Sequence, residues 1–153
     1  MSRIKHLLLL LVMIIAGTGM ANAFIDSYTV SRDKLPEAAQ QMLSQYFPKA
    51  KISLIKIDRH LLKKPDFDVR LVNGSTIEFS NSGKWKSIDC KKKAVPTDLV
   101  PKAIRNHVSK NYPDVKIVKI VKSGSGYEIG LSDDITLKYN LLYQFKGVKM
   151  EDA

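Results

Sequence analysis

Cysteine, histidine and acidic residues are all scarce in this chain. Cys90 is the only cysteine among 153 residues, and there are three histidines. One cysteine excludes an internal disulfide and a zinc site built from several thiolates. Only 15 residues are acidic against 25 lysines and arginines, a formal net charge of +10. The hydrophobic fraction of 44% is that of a globular protein, which excludes a disordered or collagen-like chain.

Residue groups with the spacing of a catalytic or metal site are also missing. His60 follows Asp58-Arg59, but two ligands without a third are a weak metal signal. His107 lies on the apolar stripe of a predicted helix with no acidic neighbour, which favours packing over catalysis. The chain has no G-x-S-x-G motif and no phosphate-binding glycine loop. We therefore expect no catalytic residues, no cofactor, no metal and no enzymatic activity.

Cys90 is followed by three lysines, and nearby positive charge favours the reactive thiolate form. A semi-buried strand cysteine is the favoured interpretation, because no base with suitable spacing accompanies it. A disulfide between two chains is the alternative that the sequence leaves open.

The first 23 residues have the pattern of a cleaved secretory signal. Arg3 and Lys5 form a basic start, residues 7–16 are apolar without interruption, and Ala21-Asn22-Ala23 is a small-residue cleavage site. The apolar run is shorter than the roughly 20 residues that span a bilayer. An uncleaved N-terminal anchor is the alternative. We predict a mature chain from residue 24 onward, periplasmic or secreted, with no further transmembrane segment.

The rest of the sequence repeats itself. A shift of 65 places Leu35-Pro36-Glu37-Ala38 on Val100-Pro101-Lys102-Ala103, and a shift of 60 places Phe67-Asp68-Val69 on Tyr127-Glu128-Ile129. The change of shift falls in a loop around residues 59–66, where a difference in length is tolerated. We predict two repeats, residues 24–93 and 94–153.

The sequence pattern within each repeat predicts one helix followed by four strands. Apolar residues recur at helical spacing from Leu35 to Phe47, and Pro48 ends the helix. Apolar residues that alternate with polar ones, separated by turns such as Asn73-Gly74, then predict a meander of strands. The predicted fold is α+β, with two tandem α-β-β-β-β repeats, each a four-stranded antiparallel sheet with its helix on one face. The uncovered face is either solvated or a partner-binding surface. Its candidate partner-binding residues are Asp68, Arg70, Thr76, Glu78, Lys86, Glu128, Thr136, Lys138 and Lys146.

Several motifs resemble a known family. They are L-P-x-A before a helix that ends in F-P, then F-D-V-x-L-x-N-G-x-x-I-E-F, G-x-W-K-x-I-D-C-K, and V-P at the start of the second repeat. This pattern resembles the PepSY-like, β-lactamase-inhibitor-protein-like family of exported bacterial proteins. The resemblance implies two units side by side, with their sheets forming one concave surface, in a periplasmic, non-enzymatic protein. It does not by itself predict inhibition of a β-lactamase, because a fold does not imply a function.

The second repeat departs from this pattern in its turns. Asp133-Asp134 stands where the first repeat has Asn73-Gly74, and Asn140-Leu141-Leu142-Tyr143 lacks a glycine at the position of Gly83. These departures leave the geometry of the second repeat's turns open, while the expected fold is unchanged.

Two functions remain open at this level. The first is a binding module, with an inhibitor-like role as one form of it, whose uncovered sheet face takes a protein or peptide partner of the cell envelope. The alternative is a basic envelope-surface protein that binds anionic lipid or glycan electrostatically. Binding of nucleic acid is not expected, because the chain is predicted to be exported and has no nucleic-acid motif.

The signal assignment predicts the mass of the exported protein. When the full chain is produced in a Gram-negative host, intact-mass analysis of the periplasmic product should give a protein that begins at Phe24. Ala23→Tyr should block processing, because the cleavage site requires a small residue. A periplasmic product that retains Met1 would contradict the assignment.

Overall fold

The chain has the predicted order, in which each of two helices is followed by four strands, and one further strand precedes the first helix. The computed structural model describes residues 26–59 and 63–149. The predicted signal and His60 lie outside the described residues. The helices are α1 (Glu37–Tyr46) and α2 (Lys102–Asn111). The strands are β1 (Ser27–Thr29), β2 (Ile52–Asp58), β3 (Asp66–Leu71), β4 (Thr76–Phe79), β5 (Trp85–Asp89), β6 (Ile117–Ser123), β7 (Gly126–Leu131), β8 (Thr136–Tyr139) and β9 (Phe145–Val148).

The two helices begin and end by the same chemistry. Each is preceded by a proline as its N-cap, Pro36 or Pro101, where a missing N–H leaves no hydrogen bond unmade. Each ends just before a second proline, which disfavours helical backbone in the residue ahead of it. A short 3₁₀ turn, Thr97–Leu99, precedes α2, as Pro96 in the sequence suggests.

A single antiparallel sheet contains all nine described strands, ordered as they occur in the chain. The predicted pair of four-stranded sheets is therefore one sheet, because β5 pairs with β6 across the junction between the repeats. In that pairing Ile88 lies opposite Ile120, and both side chains are fully buried. β1 is an addition that the repeat pattern did not predict, and it pairs with the outer side of β2.

The core lies between the helices and one side of this sheet. Ala39 and Leu43 of α1 and Ile104 and Val108 of α2 are buried there. The strands supply alternate residues to the same core, including Ile55, Val69, Ile77, Ile88, Ile120, Ile129 and Leu137. Full burial of an aliphatic side chain of this size contributes roughly 1.5–3 kcal/mol. Because the buried residues of both helices belong to one core, both helices lie on the same side of the sheet.

The turns of the second repeat, whose geometry the sequence left open, keep the geometry of the first. Asp134 has φ +67° where Gly74 has +87°, and Tyr143 has +62° where Gly83 has +80°. The tyrosine is held in this left-handed conformation by Asn140, whose side-chain oxygen accepts hydrogen bonds from the N–H groups of residues 142 and 144. Side-chain hydrogen bonds thus replace the conformational freedom of glycine.

Gly83 gives a direct test of the packing between turn and helix. A Cβ at this position would lie 2.8 Å from the backbone nitrogen of Ala39, and φ is +80°. Gly83→Ala should therefore lower the free energy of unfolding by about 2–4 kcal/mol, from backbone strain and a forced shift of α1. Gly124 meets no atom within 4 Å, so Gly124→Ala is the matched control and should change stability little. Equal denaturant midpoints for the two variants would contradict this packing.

Candidate functional site

The side of the sheet that faces away from both helices is uncovered, and we call it the open face. Strand alternation decides which residues it carries. In β3, Phe67, Val69 and Leu71 are buried against the helices, so Asp68 and Arg70 lie on the opposite side. The register places Asp68 between Lys56 of β2 and Glu78 of β4. Polar residues of neighbouring strands therefore lie side by side.

All nine residues of the predicted surface lie on the open face. Two shallow concavities divide most of them. Asp68, Arg70, Thr76 and Glu78 line the first, of about 490 Å³. Glu128, Lys138 and Lys146 line the second, of about 380 Å³. Lys86 and Thr136 lie on the same face outside both concavities, Lys86 through its contact with Asp66 and Thr136 opposite Gly130.

Other residues of the first concavity were not predicted from the sequence. They include Tyr28, Lys56, Ser87, Asp89 and Lys119. Lys56 had a usable signal, since it alternates with buried Ile55 in β2. Tyr28 had none, because β1 has no counterpart in the repeat. The neighbouring positions of Asp89 and Lys119 depend on the pairing of β5 with β6.

Charge on the open face is divided by sign between the two repeats. On β2–β5, which we call the acidic half, acids outnumber bases five to three: Asp58, Asp66, Asp68, Glu78 and Asp89 against Lys56, Arg70 and Lys86. From β6 to the residue after β9, the basic half, bases outnumber acids four to one: Lys119, Lys138, Lys146 and Lys149 against Glu128.

Ion pairs hold part of this surface in place. The Lys56 ammonium lies 3.0 Å from Asp58 and 3.1 Å from Asp26, and these hydrogen bonds raise the pKa of Lys56. Lys86 lies 3.0 Å from Asp66, and Lys149 lies 3.0 Å from Glu128. Exposed ion pairs such as these contribute little to stability, because solvent screens them. Their main effect here is to orient side chains across strands.

Other charges of the open face have no ion-pair partner within the described ranges. They are Asp68, Arg70, Glu78, Lys119, Lys138 and Lys146. Among these charges, that of Asp68 is in an unfavourable environment. Partial burial raises the pKa of its carboxyl, and the nearby charge of Asp58 adds to the effect. A partner with a cationic group at this position would offset that unfavourable environment.

The candidate reactive groups are used structurally. Cys90 is buried just after β5, and burial raises the pKa of its thiol despite the three lysines that follow. The ring of His107 stacks on Phe145 at 4.7 Å, and its Nδ1 lies 2.8 Å from the Tyr139 hydroxyl. Within residues 26–59 and 63–149, no group of three or more His, Cys, Asp or Glu side chains is arranged to hold a metal ion.

The chain is similar to a family of known proteins. The PepSY_like family, described as beta-lactamase-inhibitor-like and PepSY-like, matches residues 24–64 and 65–146. No curated protein matches the sequence significantly. None of the described helices is long and apolar enough to cross a membrane.

Three similar crystal structures come from Bacteroides. One, a Bacteroides vulgatus protein of unknown function, is 34% identical with a TM-score of 0.78, over 82% of this chain and 100% of its own. One from Bacteroides thetaiotaomicron, described as calcium-regulated, is 33% identical with a TM-score of 0.76, over 82% and 97%. A further Bacteroides vulgatus protein is 31% identical with a TM-score of 0.76, over the same shares. All three are described as periplasmic, which confirms the predicted location.

The environment of Asp68 predicts a gain in stability when its charge is removed. Because the pKa is raised in the folded state, stability falls as pH rises from the pKa of the unfolded chain through that of the folded one. Asp68→Asn should therefore raise the melting temperature at pH 7 by about 1–3 °C, and the gain should vanish in acid, where the wild-type carboxyl is protonated. Glu78→Gln, at an exposed acid of the same face, is the control and should leave the melting temperature unchanged. A destabilised Asp68→Asn at pH 7 would contradict this account.

Proposed function

The chain belongs to the PepSY-like family of beta-lactamase-inhibitor-like proteins, and we propose that it is a non-enzymatic binding module of the periplasm whose open face takes a protein or peptide partner. The observation that carries the proposal is the division of charge on this face, where several charged groups have no ion-pair partner among the described residues. An inhibitor-like role is the same proposal with an enzyme as the partner.

The size of the open face supports a macromolecular partner. Nine strands spaced about 4.8 Å apart make a surface about 38 Å wide, and its strands of about five residues extend roughly 17 Å. That area approaches the roughly 800 Å² that each side of a stable protein interface buries. The concavities within it are shallow, which suits side chains of a partner better than an enclosed small molecule.

The division of charge arises at equivalent positions of the repeats. Glu78 in β4 corresponds to Lys138 in β8, and Asp89 corresponds to Lys149. A matching partner would carry basic groups opposite the acidic half and acidic groups opposite the basic half, and such complementarity provides specificity. A uniformly anionic lipid or glycan surface would be repelled by the acidic half. The open face therefore favours a protein partner, and anionic lipid or glycan is the second candidate on the strength of the basic half alone.

Calcium regulation belongs to the description of the Bacteroides thetaiotaomicron neighbour and is not carried over to this chain. Among residues 26–59 and 63–149, no three or more His, Cys, Asp or Glu side chains are grouped so that they could hold a metal ion.

Affinity capture with matched charge reversals tests the proposal. The exported protein is immobilised and exposed to envelope extract at low and at high salt. We expect one stoichiometric protein to be retained, and Glu78→Lys and Lys138→Glu to weaken its binding about tenfold each. The controls are Glu37→Lys on α1 and Lys110→Glu on α2, which change net charge equally but lie at exposed positions on the helices.

Two results would contradict the proposal. Retention of lipid or glycan alone, lost as salt rises, would favour the electrostatic candidate. Equal weakening by the helix-side controls would show that net charge, rather than the open face, determines binding.

A further inference from the structure

The first repeat has a strand on the outer side of its outer strand β2, whereas no described strand lies on the outer side of β9, the outer strand of the second repeat. On the N-terminal side, β1 covers β2 at the position where β5 covers β6. Thr29 lies opposite Ile55 as Ile88 lies opposite the equivalent Ile120. On the other side, β9 is the last described strand, and no strand of the described chain covers its outer edge.

β9 is the counterpart of β5, and its exposed apolar residues correspond to Ile88, which is buried, and Trp85, which is half-buried. Val148 corresponds to Ile88, and its exposed fraction is 47% where that of Ile88 is zero. Phe145 corresponds to Trp85 and is 41% exposed. At Val148 the second repeat therefore exposes the apolar position that, one repeat earlier, β6 covers at Ile88. The outer edge of β9 thus corresponds to the interface between the two repeats.

The backbone of β9 is oriented for a further strand. The Lys149 N–H donates to the carbonyl oxygen of Thr136 on β8, at 2.7 Å. Neighbouring residues of a strand direct their backbone groups to opposite sides, so the N–H and C=O of Val148 point away from β8. The equivalent edge in the first repeat is filled, since Ile88 pairs with Ile120 of β6.

The edge is also held in place. Phe145 stacks on His107 of α2 and contacts the ring of Tyr139 at 5.7 Å. A preorganised edge loses less entropy on binding.

We propose that β9 binds an extended segment of a partner protein as a tenth, antiparallel strand, in the register that β5 uses with β6. The pattern of that interface defines the segment. An apolar residue would lie opposite Val148, as Ile120 lies opposite Ile88. An acidic residue would lie opposite Lys149, because Asp89 faces Lys119 at the corresponding pair and the charge of the inner strand is reversed. The proposal does not require the open face to bind a partner, although Lys146 and Lys149 border both surfaces.

Charge argues against a second copy of the chain as the occupant. Two β9 edges related by a twofold axis would bring Lys146 and Lys149 of each copy towards those of the other, and like charges opposite each other are unfavourable. Lysines on an edge strand commonly prevent self-pairing. The same lysines favour a segment that carries acids.

A peptide taken from the chain itself provides the probe. Peptide I has the sequence of β6, Ile117–Ser123, and peptide II is the same peptide with Lys119→Glu. Fluorescence anisotropy should show peptide II binding about fivefold or more tightly than peptide I, because one like-charged pair becomes an opposite-charged pair. Hydrogen exchange should show protection of the Val148 amide by peptide II.

Two variants separate backbone pairing from charge. Val148→Pro removes the outward N–H and should weaken binding of peptide II at least tenfold, whereas Val148→Thr keeps it and should bind nearly normally. Lys149→Glu should invert the preference, so that peptide I binds more tightly than peptide II. This inversion does not depend on how well Val148→Pro folds. Val72→Thr, at another exposed valine, is the control and should have no effect.

Three outcomes would overturn the proposal. The first is equal affinity for both peptides in the wild type and in Lys149→Glu, without protection at Val148. The second is a concentration-dependent dimer that Val148→Pro abolishes, which would assign the edge to a second copy. The third is displacement of peptide II by phosphatidylglycerol vesicles, which would assign the apolar edge to a membrane surface.

Discussion

The pairing of β5 with β6 is the contact on which the rest of this structure depends. It places Ile88 against Ile120 in the core and joins two repeats into one sheet of nine strands. Because each repeat carries its helix on the same side, the joined sheet has one covered and one uncovered face. An extended binding surface is therefore a consequence of the duplication, since a single four-stranded repeat would expose less than half of it.

Sequence differences between the repeats give the open face a charge asymmetry that identical repeats would lack. The reversal from Glu78 to Lys138, and from Asp89 to Lys149, gives the open face a direction, with an acidic and a basic half. The turns diverged as well, yet Asp134 and Tyr143 keep the left-handed backbone of Gly74 and Gly83. The second repeat has thus changed its surface chemistry while preserving its backbone. β9 is the counterpart of β5, and no described strand covers it in the way that β6 covers β5.

The sequence predicted the helices, eight of the strands and the nine residues of the open face, because alternation and helical spacing act within one element. It did not predict features that depend on contacts between distant elements. Tyr28 lies on a three-residue strand that is ordered by pairing with β2, which local pattern does not reveal. The proximity of Asp89 and Lys119 requires the junction between repeats. Exposure of Val148 could not be read from its alternation, because a strand residue is buried only if something covers it.

Lysine labelling followed by mass spectrometry, carried out on the protein in envelope extract and in buffer, tests the central claim most directly. Lys119 and Lys138 are exposed on the open face, whereas Lys102 and Lys110 are exposed on α2. If the open face is the binding surface, labelling of Lys119 and Lys138 should fall several-fold in extract while labelling of the helix lysines stays constant. Protection of Lys102 and Lys110 with unchanged labelling of the open face would contradict the account.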